Sequence, residues 1–215
     1  MELVVVVAVL LLLISMLVPS LKRAREMAQS GTCQSRLRQL GVAFQAYSSQ
    51  SGFDGYARPS LWARTGADGA VQRGGWLWPY TGEAELYRCP GDTGERPGGA
   101  GSVGPYTEIS YVINDHWACF SREWYSFRDV RVPAKTLLLL EQHIERQPWT
   151  DYLAWQSEGD GGGPADVPSE RHLGGSNILF FDGRVASIPL EQYLRGFPAT
   201  PNWLADPENP PPAPW

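Results

Sequence analysis

MELVVVVAVLLLLISMLVPSLKRAREMAQSGTCQSRLRQLGVAFQAYSSQSG, residues 1–52, decides the architecture. From Leu3 to Val18 the only polar residue is Ser15, and continuing to Leu21 adds Pro19 and Ser20. As a helix rising about 1.5 Å per residue, the run from Leu3 to Leu21 spans about 28 Å, against a hydrocarbon core of about 30 Å. A cleaved secretory signal would put a basic region before the apolar run and small residues after it; here Met1-Glu2 precede it and Pro-Ser-Leu-Lys-Arg follows. The run therefore reads as a membrane-spanning helix. Glu2 stands at its lip, where a carboxylate is costly without a partner, and this marks Glu2 as a functional residue.

Beyond Pro19 the apolar positions become periodic. Cys33, Leu37, Leu40, Phe44 and Tyr47 recur at alternating spacings of four and three, with Gln34, Arg38, Gln39 and Gln45 elsewhere on the surface. This half predicts one stripe buried under a head. Helical signals fade at Ser51-Gly52. The whole helix would measure about 75 Å if straight, longer than a head of this size needs, and such a length suits a filament spine. The plainer reading is a membrane anchor followed by a docking helix. In that reading Lys22, Arg23 and Arg25 would hold the following chain on the cytoplasmic side.

At 215 residues the chain accommodates this helix and one head of ordinary size. Nine Trp, nine Tyr and seven Phe supply a packed core, while 23 Gly and 18 Pro call for short strands separated by long turns. Gly75-Trp76-Leu77-Trp78-Pro79-Tyr80 reads as an aromatic packing segment, and Cys89-Pro90-Gly91-Asp92 as a turn ending an element. Strands are expected at 110–114 and at 136–141, the second buried on both faces. The clearest hairpin is NILFF-DG-RVASI, residues 177–188, whose Asp182-Gly183 favours a type I′ turn. The Pro-rich end, from Ala205 to Trp215, is expected to be extended. The fold class expected is α+β: a long helix over 1–52 packed on a small antiparallel sheet in a head over 53–190, then an extension over 191–215.

Glu2, the β-branched and leucine run, Pro19 seventeen positions after the glutamate, and the continuation LKRAREMAQSGTCQSRLRQLGVAFQAYSSQ resemble the N-terminal helix of type IV pilins and type II secretion pseudopilins. The resemblance covers about the first fifty residues. It implies a pilin-like fold, Glu2 as the assembly glutamate that neutralises a neighbour's N-terminal amine, and Pro19 as the helix-kinking proline. The family's basic leader, cut by a prepilin peptidase before the new first residue is methylated, would lie upstream of Met1. Farther on, RHLGGSNILFFDGRV separates His172 from Asp182-Gly183 by nine residues, similar to the His-x9-Asp-Gly signature of prepilin-like proteins. Together these imply a homopolymer joined through N-terminal helices, residence in the inner membrane before assembly, a prepilin peptidase and assembly machinery as partners, and an exported head ending at the cell surface or in the periplasm. The alternative is a single-span protein whose head binds a ligand or partner and never polymerises.

A formal net charge of −5 and a pI near 5.2 argue against general nucleic-acid binding, which needs clustered cations. No HExxH, GxSxG, P-loop or dinucleotide fingerprint is present, so no catalytic residue and no cofactor is expected. Asp115-His116, Glu141/His143 and His172/Asp182 offer mixed oxygen and nitrogen ligands, yet their spacing demands no metal, and none is expected. His172 reads better as structural, hydrogen-bonded to backbone near the hairpin, with Asp182 serving the turn. The acidic, glycine-rich Glu158–Gly163 stretch offers two carboxylates where calcium wants about six to eight oxygens, so it reads as a loop.

Cys33, Cys89 and Cys119 are too few for a zinc site without histidine help, and they are the disulfide candidates. Cys89 with Cys119 would close a loop in the head; Cys33 with Cys89 would staple the head to the helix. Either bridge would stabilise by roughly 3 to 4 kcal/mol, and a cytosolic head would leave all three reduced. Trp149, Trp155, Trp203 and Trp215 are candidates for carbohydrate or subunit contacts, although core packing accounts for most aromatic residues.

Overall fold

The structure is a computed structural model that describes residues 2–50, 62–63, 75–92, 109–114, 133–134, 136–141, 152–153 and 168–192. Helix α1 (Glu2–Gln50) runs unbroken through Pro19. A short helix α2 (Trp78–Thr81) and a 3-10 turn (Ala84–Tyr87) follow. Five strands complete the described elements: β1 (Tyr111–Asn114), β2 (Leu137–Glu141), β3 (Tyr152–Leu153), β4 (Gly175–Phe180) and β5 (Val185–Pro189), in spatial order β3-β1-β2-β4-β5. The class is α+β, as the sequence pattern predicts. The pairs β1–β2, β2–β4 and β4–β5 are antiparallel, whereas the two-residue β3 lies parallel to β1, a departure from the wholly antiparallel sheet expected.

The two halves of α1 differ in surroundings as their compositions require. Every residue from Leu3 to Leu21 is exposed, so the apolar segment packs on nothing within the described chain. It is long and apolar enough to cross a membrane, and none of it is buried inside the protein. Farther along, Cys33, Leu37, Leu40, Phe44 and Tyr47 are all buried, while Arg38, Gln39 and Gln45 are exposed. The stripe lies against the sheet, α2 and the 3-10 turn. At Gly41 the helix runs close to the sheet: a Cβ built there would sit 3.1 Å from a Leu179 methyl. Around the far end of the stripe the aromatic segment packs in. Trp76 lies 4.3 Å from Tyr47 and edge-on to Phe44 at 5.5 Å, and Trp62 bridges Phe44 to Tyr87 at 5.9 and 5.4 Å. Offset and edge-to-face contacts of this kind add roughly 0.5 to 1.5 kcal/mol each beyond burial.

Register decides which side chains meet the helix. Tyr111 pairs with Glu141 and Ile113 with Leu139, and Leu139 pairs in turn with Leu179. Because side chains alternate across a sheet, Tyr111, Ile113, Leu139, Glu141, Asn177 and Leu179 share the face toward α1. Val112, Leu140, Ile178, Phe180 and Ile188 form a second buried cluster on the opposite face. All five residues of β2 are buried, which agrees with the reading of that run as a strand covered on both sides.

The hairpin forms where expected but with a different turn. The Gly183 N–H donates to Phe180 O at 2.9 Å and the Phe180 N–H to Arg184 O at 2.9 Å. Gly183 has φ 84°, while Asp182 has no positive φ. A type I′ turn needs positive φ at both central residues, so Asp182-Gly183 instead ends a type I turn with glycine in the bulge position. Asp182 caps that turn, accepting from the Arg184 N–H at 2.9 Å. The extension over 191–215 lies outside the described residues beyond 192.

If the stripe carries the docking of α1, Phe44→Ala should cost about 3 to 5 kcal/mol of head stability, as truncation of a fully buried ring does. Val42→Ala, on the exposed side of the same turn, should stay within about 0.5 kcal/mol. Denaturant unfolding of the detergent-solubilised full chain, followed by tryptophan fluorescence, measures both.

Candidate functional site

Four chemically active side chains from distant parts of the chain converge where α1 crosses the sheet. Cys33 comes from α1, Cys89 from the turn after the 3-10 segment, Glu141 from the end of β2, and His172 from the turn before β4. All four are buried, and one donor atom from each lies within 4.8 Å of the others.

Glu141 is the centre of the arrangement. Its Oε1 faces the Cys33 thiol in a very short contact, His172 Nε2 at 2.9 Å and Asn177 Nδ2 at 3.4 Å. Its Oε2 accepts from the Asn177 backbone N–H at 2.9 Å and from the Ser169 and Ser176 hydroxyls at 3.3 and 3.4 Å. The carboxylate is thus held by one oxygen and offered by the other. Cys33 Sγ also meets the Tyr111 hydroxyl at 3.2 Å. His172 Nε2 lies 3.2 Å from Cys89 Sγ, and that sulfur accepts from the Gly91 N–H at 3.3 Å.

The Cys89-Pro90-Gly91-Asp92 turn is closed by the Asp92 N–H donating to Cys89 O at 2.9 Å. Ser110 pins it from β1's approach, accepting from the Cys89 N–H at 2.9 Å and donating to Asp92 Oδ2 at 2.6 Å. Arg171, beside His172, forms a buried ion pair with Asp92 at 3.2 Å. Across the site, Asn177 is held from α1 by Gln34 Nε2, which donates to its Oδ1 at 3.2 Å.

These contacts shift the proton affinities in a consistent pattern. Burial pushes the Cys33 thiol well up, aided by its hydrogen bond with Cys89 and the nearby Glu141 charge. The same hydrogen bond from Cys33 draws Cys89 down to about 6 against the effect of burial, with His172 helping. Burial opposes ionisation of Glu141, but the hydrogen bond and charge of His172, with bonds from Cys33 and the Asn177 N–H, hold it below the usual carboxylate range. Burial also opposes a charged His172, and its contacts with Cys89 and Glu141 outweigh it, raising the imidazole to about 9. Burial drives the Tyr111 hydroxyl upward, so it stays protonated. Two thiols, a carboxylate and an imidazole so placed are suited to holding a soft metal ion or to exchanging protons among themselves.

Several sequence expectations change here. His172 does not bond backbone through its ring; it faces Glu141 and Cys89, although its own backbone N–H and C=O pair with Gly175. Asp182 stays apart from His172 and serves the exposed hairpin turn, the role that the sequence reading gives it. Cys33 and Cys89, two of the disulfide candidates, come together as free thiols. Cys119, Asp115, His116, His143, the 158–163 loop and Trp149, Trp155, Trp203 and Trp215 lie outside the described residues, as does the side chain of Glu2. Of the mixed-ligand pairs, Glu141 and His172 contribute one member each, and the missing partners were the cysteines. The signal in the sequence was Glu141 itself, an ionisable residue closing an otherwise all-leucine buried strand.

No family model matches the chain, and no curated protein and no solved structure matches it.

Removing the central carboxylate should be far more damaging than altering the motif's aspartate. Glu141→Leu leaves His172 charged and the Asn177 N–H unpaired in the interior, a loss of roughly 3 to 5 kcal/mol. Asp182→Asn keeps an acceptor for the Arg184 N–H and should cost under about 0.5 kcal/mol. Thermal unfolding of the two variants beside the parent chain separates the roles.

Proposed function

We propose that this protein is a non-enzymatic structural subunit of a pilin-like filament, anchored in a membrane before assembly and polymerised through the apolar half of α1. The observation that carries the reading is the division of α1: a bare apolar segment over Leu3–Leu21 continuous with a segment whose stripe is buried under the head. Apolar helix surface of this extent is stable only in lipid or against other apolar helices. In a filament the α1 segments of many copies would bury one another, with Glu2 beside a neighbour's terminal amine and Pro19 adjusting the helix path. The pilin resemblance of residues 2–50 supports the same reading, and with it an exported head and a surface or periplasmic filament. Lys22, Arg23 and Arg25 directly after the apolar run favour a second reading, a permanent single-span anchor with a cytoplasmic, partner-binding head.

Glu2→Ala separates the two. Under the filament reading the variant remains in the membrane fraction of the native host but yields no sheared filaments when the parent does. Normal filaments from the variant would remove the assembly role of Glu2, and a parent chain that forms none would favour the anchor.

A further inference from the structure

We propose that Cys33, Cys89, Glu141 and His172 bind one zinc ion in a closed, four-coordinate structural site that fastens helix α1 to the head. The inference goes beyond the filament reading and does not depend on it.

The donor atoms carry the argument. Two sulfurs, one imidazole nitrogen and one carboxylate oxygen form a complete set for tetrahedral zinc, and all four belong to buried residues. Calcium and magnesium demand oxygen ligands, which two thiols and an imidazole do not provide. Four protein donors leave no open position for water or substrate, so the ion would hold structure together and carry out no reaction.

As a purely hydrogen-bonded cluster the same atoms are poorly matched. His172 Nε2 lies against both Cys89 Sγ and Glu141 Oε1, at 3.2 and 2.9 Å, and one ring nitrogen carries at most one proton for two acceptors. Cys33, Cys89 and Glu141 are three acidic groups gathered around one base in the interior, where uncompensated charge costs several kcal/mol per ion. A divalent cation takes a lone pair from each of the four and neutralises most of that charge. Its binding displaces the Cys33 thiol proton and the imidazole Nε2 proton to solvent, and with Cys89 already drawn toward the thiolate this leaves two thiolates, a carboxylate and a neutral imidazole on the metal.

The surroundings are arranged as a ligand-orienting layer. Glu141 presents Oε1 to the other three donors while Oε2 is tied to the Asn177 N–H, Ser169 and Ser176, which fixes a single-oxygen mode of ligation. The Gly91 N–H points at Cys89 Sγ and the Tyr111 hydroxyl at Cys33 Sγ, the kind of donor that stabilises a thiolate. Zinc–sulfur bonds of about 2.3 Å and zinc–nitrogen bonds of about 2.0 Å place tetrahedral ligand atoms roughly 3.3 to 3.8 Å apart. The observed separations of 3.2 Å for Cys89–His172 and 2.9 Å for His172–Glu141 need to open by a few tenths of an ångström, and the very short Cys33–Glu141 contact by about 1 Å.

The test uses the full chain in detergent, purified without chelator under mild reduction. Elemental analysis should find about one zinc per chain, and X-ray absorption a first shell of two sulfurs and two nitrogen or oxygen atoms. Cobalt(II) exchanged for zinc should give tetrahedral visible bands with thiolate-to-cobalt charge transfer. Cys89→Ser should lower that charge transfer by about half, and Glu141→Gln should weaken zinc binding at least tenfold. Should a variant fail to fold, the metal content and cobalt spectrum of the unsubstituted chain decide alone. A well-folded chain that takes up neither zinc nor cobalt would overturn the proposal. So would a Cys33–Cys89 disulfide found by peptide mapping of alkylated native membranes.

Discussion

One helix has to satisfy two environments, and the rest of the structure follows from how α1 divides between them. Its first part is apolar on every side and has no partner within the described protein. Its second part is apolar on one stripe only and is closed over by the sheet, α2 and the aromatic segment. Backbone conformation does not separate the halves, since α1 is continuous from Glu2 to Gln50. The distinction lies in side-chain distribution, a full apolar surface against a 3.6-residue stripe. The head therefore needs only to match one face of a preformed rod, and the α1-facing residues of β1, β2 and β4 do so.

Into that apolar seam the fold introduces one carboxylate. Glu141 occupies a position at which alternation from Leu139 would place another leucine, directly across from Tyr111. A buried charge there is tolerable only with a full set of partners, and they arrive from three neighbouring parts of the fold: Cys33 from α1, His172 and Ser169 from the turn before β4, Ser176 and Asn177 from β4 itself. The outcome is specificity as much as stability. A slip of one residue in the β2–β4 register would turn Glu141 to the opposite face, among Val112, Ile178 and Phe180, and strand it there. The polar cluster thereby fixes the rotation of α1 and the register of the sheet together.

Much of the fold is legible in the sequence because it rests on local signals. The stripe from Cys33 to Tyr47 repeats with the helical period, the run before Glu141 is a continuous apolar stretch of strand length, and the C-terminal hairpin is marked by Asp182-Gly183 between two strand-forming arms. The hairpin turn departs from the type I′ expected because Asp-Gly serves two turn types, and only the backbone angle of Asp182 separates them. The cluster was largely illegible. Its bonded members stand 108 residues apart for Cys33–Glu141, 83 for Cys89–His172 and 31 for Glu141–His172. No local spacing rule reaches across such separations. The motif singles out His172 but gives it a backbone role near the hairpin, and it names none of the other three site residues.

The partition of α1 between lipid and head is the claim on which the account stands, and photocrosslinking in lipid nanodiscs tests it directly. A photoreactive amino acid in place of Leu10 should attach to lipid acyl chains, and one in place of Val42 should give no lipid adduct, both read by mass spectrometry of the intact chain. An absence of lipid adducts at position 10, or equal labelling at both positions, would contradict the division of the helix.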